Sequence, residues 1–233
     1  VDLYEMRPGR ATEAHKTDRL AELVCSNSFR DNTMFTAVGL LKNEMRQLGS
    51  LVMKVADQVA VPAGSALAVD RVRFAELMTA EIEALPGVRV HREEVGEVPG
   101  SGLSIVATGP LTSAALSRSL ARFIDAEHLY FYDAISPIIT ADSVNMDLAF
   151  RASRYGKGGD DYVNCPLDEP CYERFIDALM VADKVPLESF ERCIYFEGCM
   201  PIEELARRGR ETLRFGSMKP VGLRVPGGNR PHA

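Results

Sequence analysis

A single cysteine stands in an unusual setting near the start of the chain, within the stretch AELVCSNSFR. Cys25 follows an apolar run and is followed at once by the polar residues Ser26 to Ser28. A cysteine that only fills a core is usually flanked by more apolar residues, so this pattern predicts an accessible thiol. Accessible thiols in polar or electropositive settings are the ones that serve as nucleophiles.

The other four cysteines form two pairs with the same spacing, Cys165 with Cys171 and Cys193 with Cys199. A C-x5-C spacing is not a zinc-ligand spacing and no histidine lies near either pair, so we assign no metal site. The total of five cysteines is odd. Free thiols are therefore expected rather than a disulfide framework.

Length and composition indicate a globular protein, because 233 residues with 46% apolar side chains can bury a sizeable core. The apolar runs are too short to span a membrane, and the opening VDLYEMRP lacks the features of a signal peptide. We therefore expect a cytoplasmic protein that does not enter the membrane. The chain opens within an apparent strand and stops in the polar stretch GGNRPHA, so we also expect it to be a fragment.

Charge is unevenly distributed along the second half of the chain. The net charge of −6 argues against a generally basic nucleic-acid binder, and residues 160–202 hold ten acidic and three basic side chains. Residues 203–233 instead hold three acidic and seven basic ones, namely Arg207, Arg208, Arg210, Arg214, Lys219, Arg224 and Arg230. This basic segment is either a solvated helix face or a surface for phosphate groups.

Apolar spacing predicts two helices in the first half of the chain. Spacings of three and four give one helix from about Thr36 to Gln58, with a buried stripe of Val38, Leu41, Met45, Leu48, Val52 and Val55. Asp70 is expected to cap a second helix, which buries Phe74, Leu77, Met78, Ile82 and Leu85. Ser28 and Asn32 are candidate caps for the first helix, and the alternative is a polar contact to a ligand.

Three strand-like stretches surround these helices: VDLYE, GVRVHREEV and LSIVATG. In nucleotide-binding βαβ units, the acid that ends the second strand bonds ribose hydroxyls, and Glu5 has that position. Thr108 and Gly109 end a strand with residues small enough for a cofactor to approach. The simpler interpretations are a solvated acid and an ordinary turn. The Gly-rich phosphate loop would lie about 20 residues before Glu5, outside the chain.

Eight stretches, in chain order, together resemble the TrmFO-type folate- and FAD-dependent tRNA (uracil-5-)-methyltransferases. They are LYEMRP, TDRLAELVCSNS, AVGLLKNEMRQLGSLVM, VPAGSALAVDR, VATGPLTS, YFYDAISPI, SRYGKGGDDYVNCP and YFEGCMPIEELARRGRETLRFGSMKPVGL. The resemblance extends over essentially the whole chain. It implies that the chain is the middle portion of such a protein.

The resemblance implies methylation of carbon 5 of the T-loop uridine of tRNA. Methylenetetrahydrofolate would supply the one-carbon unit, and FAD reduced by NADPH or NADH would supply the reducing equivalents. Cys25 and Cys199 would share the roles of nucleophile and general base, with Cys25 slightly favoured as the nucleophile. Glu5, Thr108 and Gly109 would bind the cofactor. The basic residues proposed to contact tRNA phosphates are Arg207, Arg208, Arg210 and Lys219.

The expected architecture is an α/β fold with two domains. Residues 1–112 would form part of a Rossmann-like FAD-binding domain, residues 113–216 an inserted mixed α/β domain, and residues 217–233 the return toward the first domain. No protein partner is implied. Alternative functions are the same chemistry on a ribosomal RNA uracil, the related wobble-uridine modification, and flavin or tRNA binding without turnover.

Overall fold

A computed structural model describes residues 1–12, 14–124, 139–183, 200–228 and 230–233. Over these residues the strands are β1 (Asp2–Tyr4), β2 (Ser28–Asp31), β3 (Ala60–Val61), β4 (Ala66–Val69), β5 (Arg89–His91), β6 (Phe150–Arg151) and β7 (Val163–Asn164). The helices are α1 (Ala37–Gln47), α2 (Leu51–Gln58), α3 (Arg71–Glu83), α4 (Ala114–Phe123), α5 (Glu169–Val181), α6 (Ile202–Arg208) and α7 (Thr212–Phe215). The fold is mixed α/β, as the sequence predicts. Cys193 and Cys199 lie outside the described residues.

The strands form three small sheets. β1 and β5 are parallel, with Leu3 opposite Val90, and the Glu5 amide extends the pairing by donating to the His91 carbonyl at 2.9 Å. β4 lies between β2 and β3 and is antiparallel to both. β6 and β7 form an antiparallel pair. Among the described helices, none is both long and apolar enough to cross a bilayer.

The long helix predicted from Thr36 to Gln58 is wrong, because the chain forms α1 and α2 with a break between them. Gly49 has a φ of 73°, and the Ser50 hydroxyl accepts from the amide of Met53 to start α2 anew. The break changes which face of the helix is buried. Met53 is 2% exposed, whereas Leu48 is 87% exposed although it belonged to the predicted stripe.

The cap predicted for the second helix is confirmed. The Asp70 carboxylate accepts from the amides of Val72 and Arg73, each at 3.0 Å, and α3 begins at Arg71. α3 packs with α2 and β4 around a buried core of Met53, Val55, Ala56, Val59, Leu67, Val69, Phe74 and Met78. Leu85, also predicted to be buried, lies beyond the end of α3 and is 42% exposed.

The strand predicted for LSIVATG does not form in the described chain. Leu103 is 99% exposed and Ile105 is 88% exposed, and residues 103–108 have no strand partner among the described residues. A strand requires a neighbour to receive its backbone hydrogen bonds, so apolar alternation alone does not create one. The stretch ends in a short 3-10 turn at Gly109–Leu111, which precedes α4.

A second core joins α5, α6 and α7 through Tyr172, Ile176, Ala206 and Leu213. The last residues of the chain close over it, because the Leu167 amide donates to the Ala233 carbonyl and the His232 amide donates to the Leu167 carbonyl.

Residues from the β3–β4 turn contact the loop before β7. The Tyr162 hydroxyl donates to the Ala63 carbonyl, and the Gly64 amide donates to the Asp161 carboxylate, both at 2.6 Å. These contacts connect the sheet that carries β2 to the part of the chain that contains β6 and β7.

The broken helix predicts opposite effects for two substitutions in the full-length protein. Met53→Ala should lower the free energy of unfolding by about 2–5 kcal/mol, because it leaves a cavity in the first core. Leu48→Ala should change it by less than about 0.5 kcal/mol, because its side chain is in solvent. Denaturant unfolding measures both, and equal losses would contradict the break at Gly49.

Candidate active site

Cys25 is an exposed free thiol on the loop that enters β2, as its polar neighbours predicted. Two residues later the chain is fixed to the central strand β4. The Asn27 side-chain amide donates to the Val69 carbonyl at 2.8 Å, and the Val69 amide donates to the Asn27 carbonyl at 3.0 Å. Since Val69 is fully buried, this pairing holds the loop against the first core.

The N-terminus of α3 lies beside the same loop. Arg71, the first residue of the helix, donates from Nη2 to the Cys25 carbonyl at 3.4 Å. A helix N-terminus carries a partial positive charge, and the Arg71 guanidinium adds a full one. The Cys25 carbonyl is thus held by the Arg71 guanidinium, at the end of α3 that the Asp70 carboxylate caps.

The segment before Cys25 is organised around a buried arginine. Arg7 is 4% exposed and bonds both carboxylate oxygens of Glu5, with its Nε and Nη2 each at 2.9 Å. Its Nη1 donates to Glu22 at 2.9 Å and to the Thr17 carbonyl at 3.2 Å. One guanidinium thus joins the end of β1 to the loop that leads to Cys25.

Glu22 completes this arrangement from the other side. Its carboxylate accepts from the Lys16 amide at 2.9 Å, from the Thr17 amide at 3.1 Å and from the Thr17 hydroxyl at 2.9 Å. The buried Leu20 donates its amide to the Thr79 hydroxyl on α3 at 2.9 Å. The loop is therefore fixed from Lys16 to Glu22, three residues before Cys25.

The two carboxylates of the Arg7 cluster, Glu5 and Glu22, both stay ionised more readily than usual. Burial raises the pKa of Glu5, but hydrogen bonds from the Arg7 side chain and backbone outweigh it and leave that pKa below its usual value. Burial also raises the pKa of Glu22, but hydrogen bonds from the Lys16 amide and from Thr17 outweigh it and leave that pKa below its usual value. At neutral pH, Arg7 therefore faces two negative charges.

The three proposed cofactor residues do not form one hydrogen-bonded group. Glu5 bonds Arg7, whereas the Thr108 hydroxyl shares a 2.5 Å hydrogen bond with the hydroxyl of Thr112. Gly109 has a φ of 63°, a left-handed backbone conformation that glycine adopts without steric strain. A Cβ added there would meet no atom within 4 Å, which leaves open space in front of it.

A polar cluster that the sequence analysis did not identify fixes β2 to α1. The Asp31 carboxylate accepts from the amide and hydroxyl of Thr33 and from the hydroxyls of Thr36 and Ser65, and these bonds lower the pKa of Asp31 to about 2. The buried Lys42 donates to the Asp31 carbonyl at 2.7 Å, and desolvation lowers the pKa of Lys42. The cluster secures the far end of β2.

The helix cap next to this cluster differs from both sequence candidates. Thr36 caps α1 by accepting from the Gly39 amide at 3.2 Å. Ser28 belongs to β2, and the Asn32 side chain accepts from Arg46 at 2.9 Å. The prediction that Ser28 or Asn32 caps the first helix is therefore wrong, because five residues (32–36) separate β2 from α1 and the last of them is the cap.

The four basic residues proposed for RNA contact divide into two kinds. Arg207 pairs with Glu204 at 2.6 Å, and Arg210 bridges Glu173 and Asp177 on α5. Arg208 and Lys219 are exposed and have no carboxylate partner within the described ranges. Arg210 therefore holds α5, whereas the charges of Arg208 and Lys219 are not neutralised by a carboxylate of the described residues.

The buried Arg7 predicts a strong effect of Arg7→Met on the full-length protein. At pH 7 this change should lower the free energy of unfolding by about 3–5 kcal/mol, since it leaves the partly buried Glu5 and Glu22 without their cation. Because both folded-state pKa values are lowered, their stabilisation is present at neutral pH and is lost as the pH falls through those values. The variant should therefore lose less stability on acidification.

Arg10→Met is the matched control, since Arg10 makes an exposed pair with Glu94 at 2.8 Å. It should change stability little, because water screens exposed ion pairs. Unfolding curves between pH 3 and pH 8 measure both variants. Equal stability of the two variants at pH 7 would contradict the structural role assigned to Arg7.

Comparison with known proteins gives relatives along the whole chain. It is 57% identical to the methylenetetrahydrofolate–tRNA-(uracil-5-)-methyltransferase TrmFO of Geobacter sulfurreducens, and 56% identical to those of Moorella thermoacetica and Anoxybacillus flavithermus. Each alignment covers 100% of this chain and 54% of the relative. The chain therefore spans about half the length of the curated relatives it matches.

These relatives confirm the resemblance drawn from the sequence motifs. A family model described as Glucose inhibited division protein A also matches residues 1–232. This match leaves out only the last residue of the chain. The chain belongs to the Glucose inhibited division protein A family.

Proposed function

We propose that the protein containing this chain methylates carbon 5 of a uridine in tRNA, with methylenetetrahydrofolate as the one-carbon donor. The observation that carries this proposal is the similarity of 53–57% identity to curated enzymes named for that reaction, over the full length of the chain. We take the T-loop uridine as the target and the cytoplasm as the place of reaction.

The exposed thiol of Cys25 supports this chemistry. Carbon 5 of uracil is a weak nucleophile, and addition of a thiolate at carbon 6 creates an enolate that attacks through carbon 5. Once the one-carbon unit is attached, a base must remove the carbon 5 proton. We propose that Cys25 and Cys199 divide these two roles, with Cys25 the slightly favoured nucleophile. Arg71 and the N-terminus of α3 would stabilise the negative charge near Cys25.

The cofactor proposal assigns FAD to the side of the chain that carries Glu5. Arg7 uses three of the roughly four lone-pair positions of this carboxylate, so one acceptor position remains for a ribose hydroxyl. Thr108 and Gly109 would border the cofactor, and the open space before Gly109 is compatible with this. When bound and reduced by NADPH or NADH, FAD supplies the reducing equivalents that turn the transferred unit into a methyl group.

The domain proposal follows from the same assignment. Residues 1–112 would be part of a Rossmann-like FAD-binding domain, and residues 113–216 an inserted α/β domain. Residues 217–233 would return to the first domain, although Met218 and Ala233 pack against the second core. A substrate crevice between two such domains is a common place for an active site.

The basic residues near α6 would guide the T-arm of tRNA. Arg208 and Lys219 are the favoured phosphate contacts, because their charges have no carboxylate partner within the described part of the chain. Arg207 and Arg210 would add to the positive field while holding their own partners. The target base would leave its stack to reach the thiols.

Replacement of either proposed catalytic thiol should abolish product formation by the full-length protein. Cys25→Ala and Cys199→Ala should each lower ribothymidine formation in unmodified tRNA at least about 1000-fold, since each removes one required group. Cys165→Ala is the matched control, because Cys165 is also an exposed free thiol and has no proposed role. It should keep activity within about twofold. The assay measures ribothymidine with NADPH and methylenetetrahydrofolate present.

The other outcomes of this assay identify the alternatives. A flavin-containing protein that leaves tRNA unchanged but methylates ribosomal RNA would move the proposal to that substrate. A protein that acts at the wobble uridine would assign it to the related modification. Binding of flavin or tRNA without any product would indicate a binding protein and not an enzyme. Activity in both cysteine variants would contradict the two-thiol mechanism.

Two neighbouring arginines should respond differently to the same change. Arg208→Gln should weaken tRNA binding and reduce the slope of log affinity against log salt by about 0.9, while leaving the melting temperature unchanged. Arg210→Gln should lower the melting temperature, because it removes the contacts to Glu173 and Asp177. Salt-dependent binding and thermal unfolding separate the two, and a reversed pattern would contradict the assignment.

A further inference from the structure

A cavity of about 490 Å³ lies between α7 and the last residues of the chain. It is lined by Arg214, Phe215, Lys219, Pro220, Val221, Arg230, Pro231 and His232. Its volume falls within the usual range of small-ligand sites, which begins near 300 Å³. None of these residues is used by the chemistry proposed for Cys25 and Cys199, and Lys219 alone was among the proposed RNA contacts.

Two lining cations are available to bind an anion. Lys219 and Arg230 are exposed, and neither has a carboxylate partner in the ranges that the structure describes. Arg214 is the third cation, and it pairs with Glu211 at the start of α7. Among the described residues that line the cavity none is acidic and three are basic, so this lining carries net positive charge. Two cations whose N–H donors are not used by carboxylates can together bind a phosphate group.

An aromatic surface stands next to these charges. Phe215 is 71% exposed at the end of α7, and the Arg214 guanidinium lies 4.9 Å from the centre of its ring. An exposed aromatic ring with an adjacent guanidinium is the combination on which single-stranded bases stack. Pro220 and Pro231 add apolar walls, which a base face can contact. The lining therefore suits a planar base together with its phosphate.

The cavity is held by buried structure on both sides. Leu213 of α7 is fully buried, and the Met218 amide donates to its carbonyl at 2.8 Å. On the opposite wall, the His232 ring packs 5.4 Å from the buried Tyr172 ring. The Nε2 atom of His232 is buried and has no hydrogen-bond partner among the described residues.

We propose that this cavity binds one unstacked nucleotide of the substrate RNA, with its phosphate on Lys219 and Arg230 and its base against Phe215. No thiol lines the cavity within the described part of the chain, and Cys25 is not a lining residue, so we assign the cavity to a neighbour of the reacting uridine. The inference rests on the proposed function, because it assumes an RNA substrate. It adds a defined contact that holds the RNA strand once its bases have left their stack.

The test compares variants of the full-length protein in binding to unmodified tRNA, measured without turnover by fluorescence anisotropy at several salt concentrations. Lys219→Gln and Arg230→Gln should each weaken binding, and each should reduce the salt slope by less than about 0.7, because both cations contact the same single-stranded phosphate. Phe215→Ala should weaken binding about 5- to 150-fold without changing the slope, and Phe215→Tyr should restore it. Arg224→Gln is the control, because Arg224 is exposed but does not line the cavity.

Kinetics then distinguish a neighbouring nucleotide from the reacting one. The Phe215→Ala variant should show a higher KM for tRNA with kcat within about threefold, because the lost contact binds ground state and transition state alike. Normal tRNA affinity in all three cavity variants, while the wild type methylates tRNA, would overturn this inference and leave the proposed function intact.

Two further outcomes would also count against the inference. A raised KM for NADPH with unchanged tRNA affinity would assign the cavity to the nicotinamide dinucleotide, whose base and phosphates have the same chemistry. A wild-type protein without affinity for tRNA or ribosomal RNA would overturn both the inference and the proposed function.

Discussion

The position of the candidate thiol depends on one buried cation. Arg7 is enclosed by Glu5 at the end of β1 and by Glu22 on the loop before Cys25, and all three are largely removed from water. A guanidinium in such a place must keep all its carboxylate partners, because an unpaired charge there is costly. The same set of contacts therefore connects the proposed ribose acid to the segment that carries the thiol.

A second constraint acts on the other side of Cys25. The pairing of Asn27 with Val69 ties the loop to a fully buried strand, and Lys42 with Asp31 closes the far end of β2. The exposed thiol thus lies on a short connection that is fixed at both ends. A nucleophile must be accessible and yet held in a narrow range of positions, and this arrangement provides both conditions.

Local signals in the sequence predicted those features that depend on neighbouring residues. The α/β class, the Asp70 cap and the exposure of Cys25 follow from propensity, capping and flanking polarity, and all three are found. The helix break at Gly49 was missed because an apolar repeat continues through it. The prediction of a strand at residues 103–109 was wrong because a strand also needs a neighbouring strand, and the spacing of apolar residues does not show whether one is there.

The Arg7 cluster and the nucleotide cavity lay beyond sequence reasoning for a related reason. Glu5, Arg7 and Glu22 are ordinary charged residues in a polar segment, and the fold alone shows that they meet. In the cavity, Phe215 and Arg230 are fifteen positions apart, and a reversal of the chain brings them together. The charge count did identify the basic segment, but it could not separate the paired Arg210 from Lys219, which has no carboxylate partner among the described residues.

The central claim is that one of two particular thiols bonds to the uracil ring, and covalent trapping tests it most directly. The full-length protein would be incubated with NADPH, methylenetetrahydrofolate and tRNA containing 5-fluorouridine, which has no proton to lose at carbon 5. Mass spectrometry of the digested complex should find the nucleotide on the peptide of Cys25 or of Cys199. An adduct on Cys165 or Cys171, or turnover of normal tRNA with no adduct at any cysteine, would contradict the account.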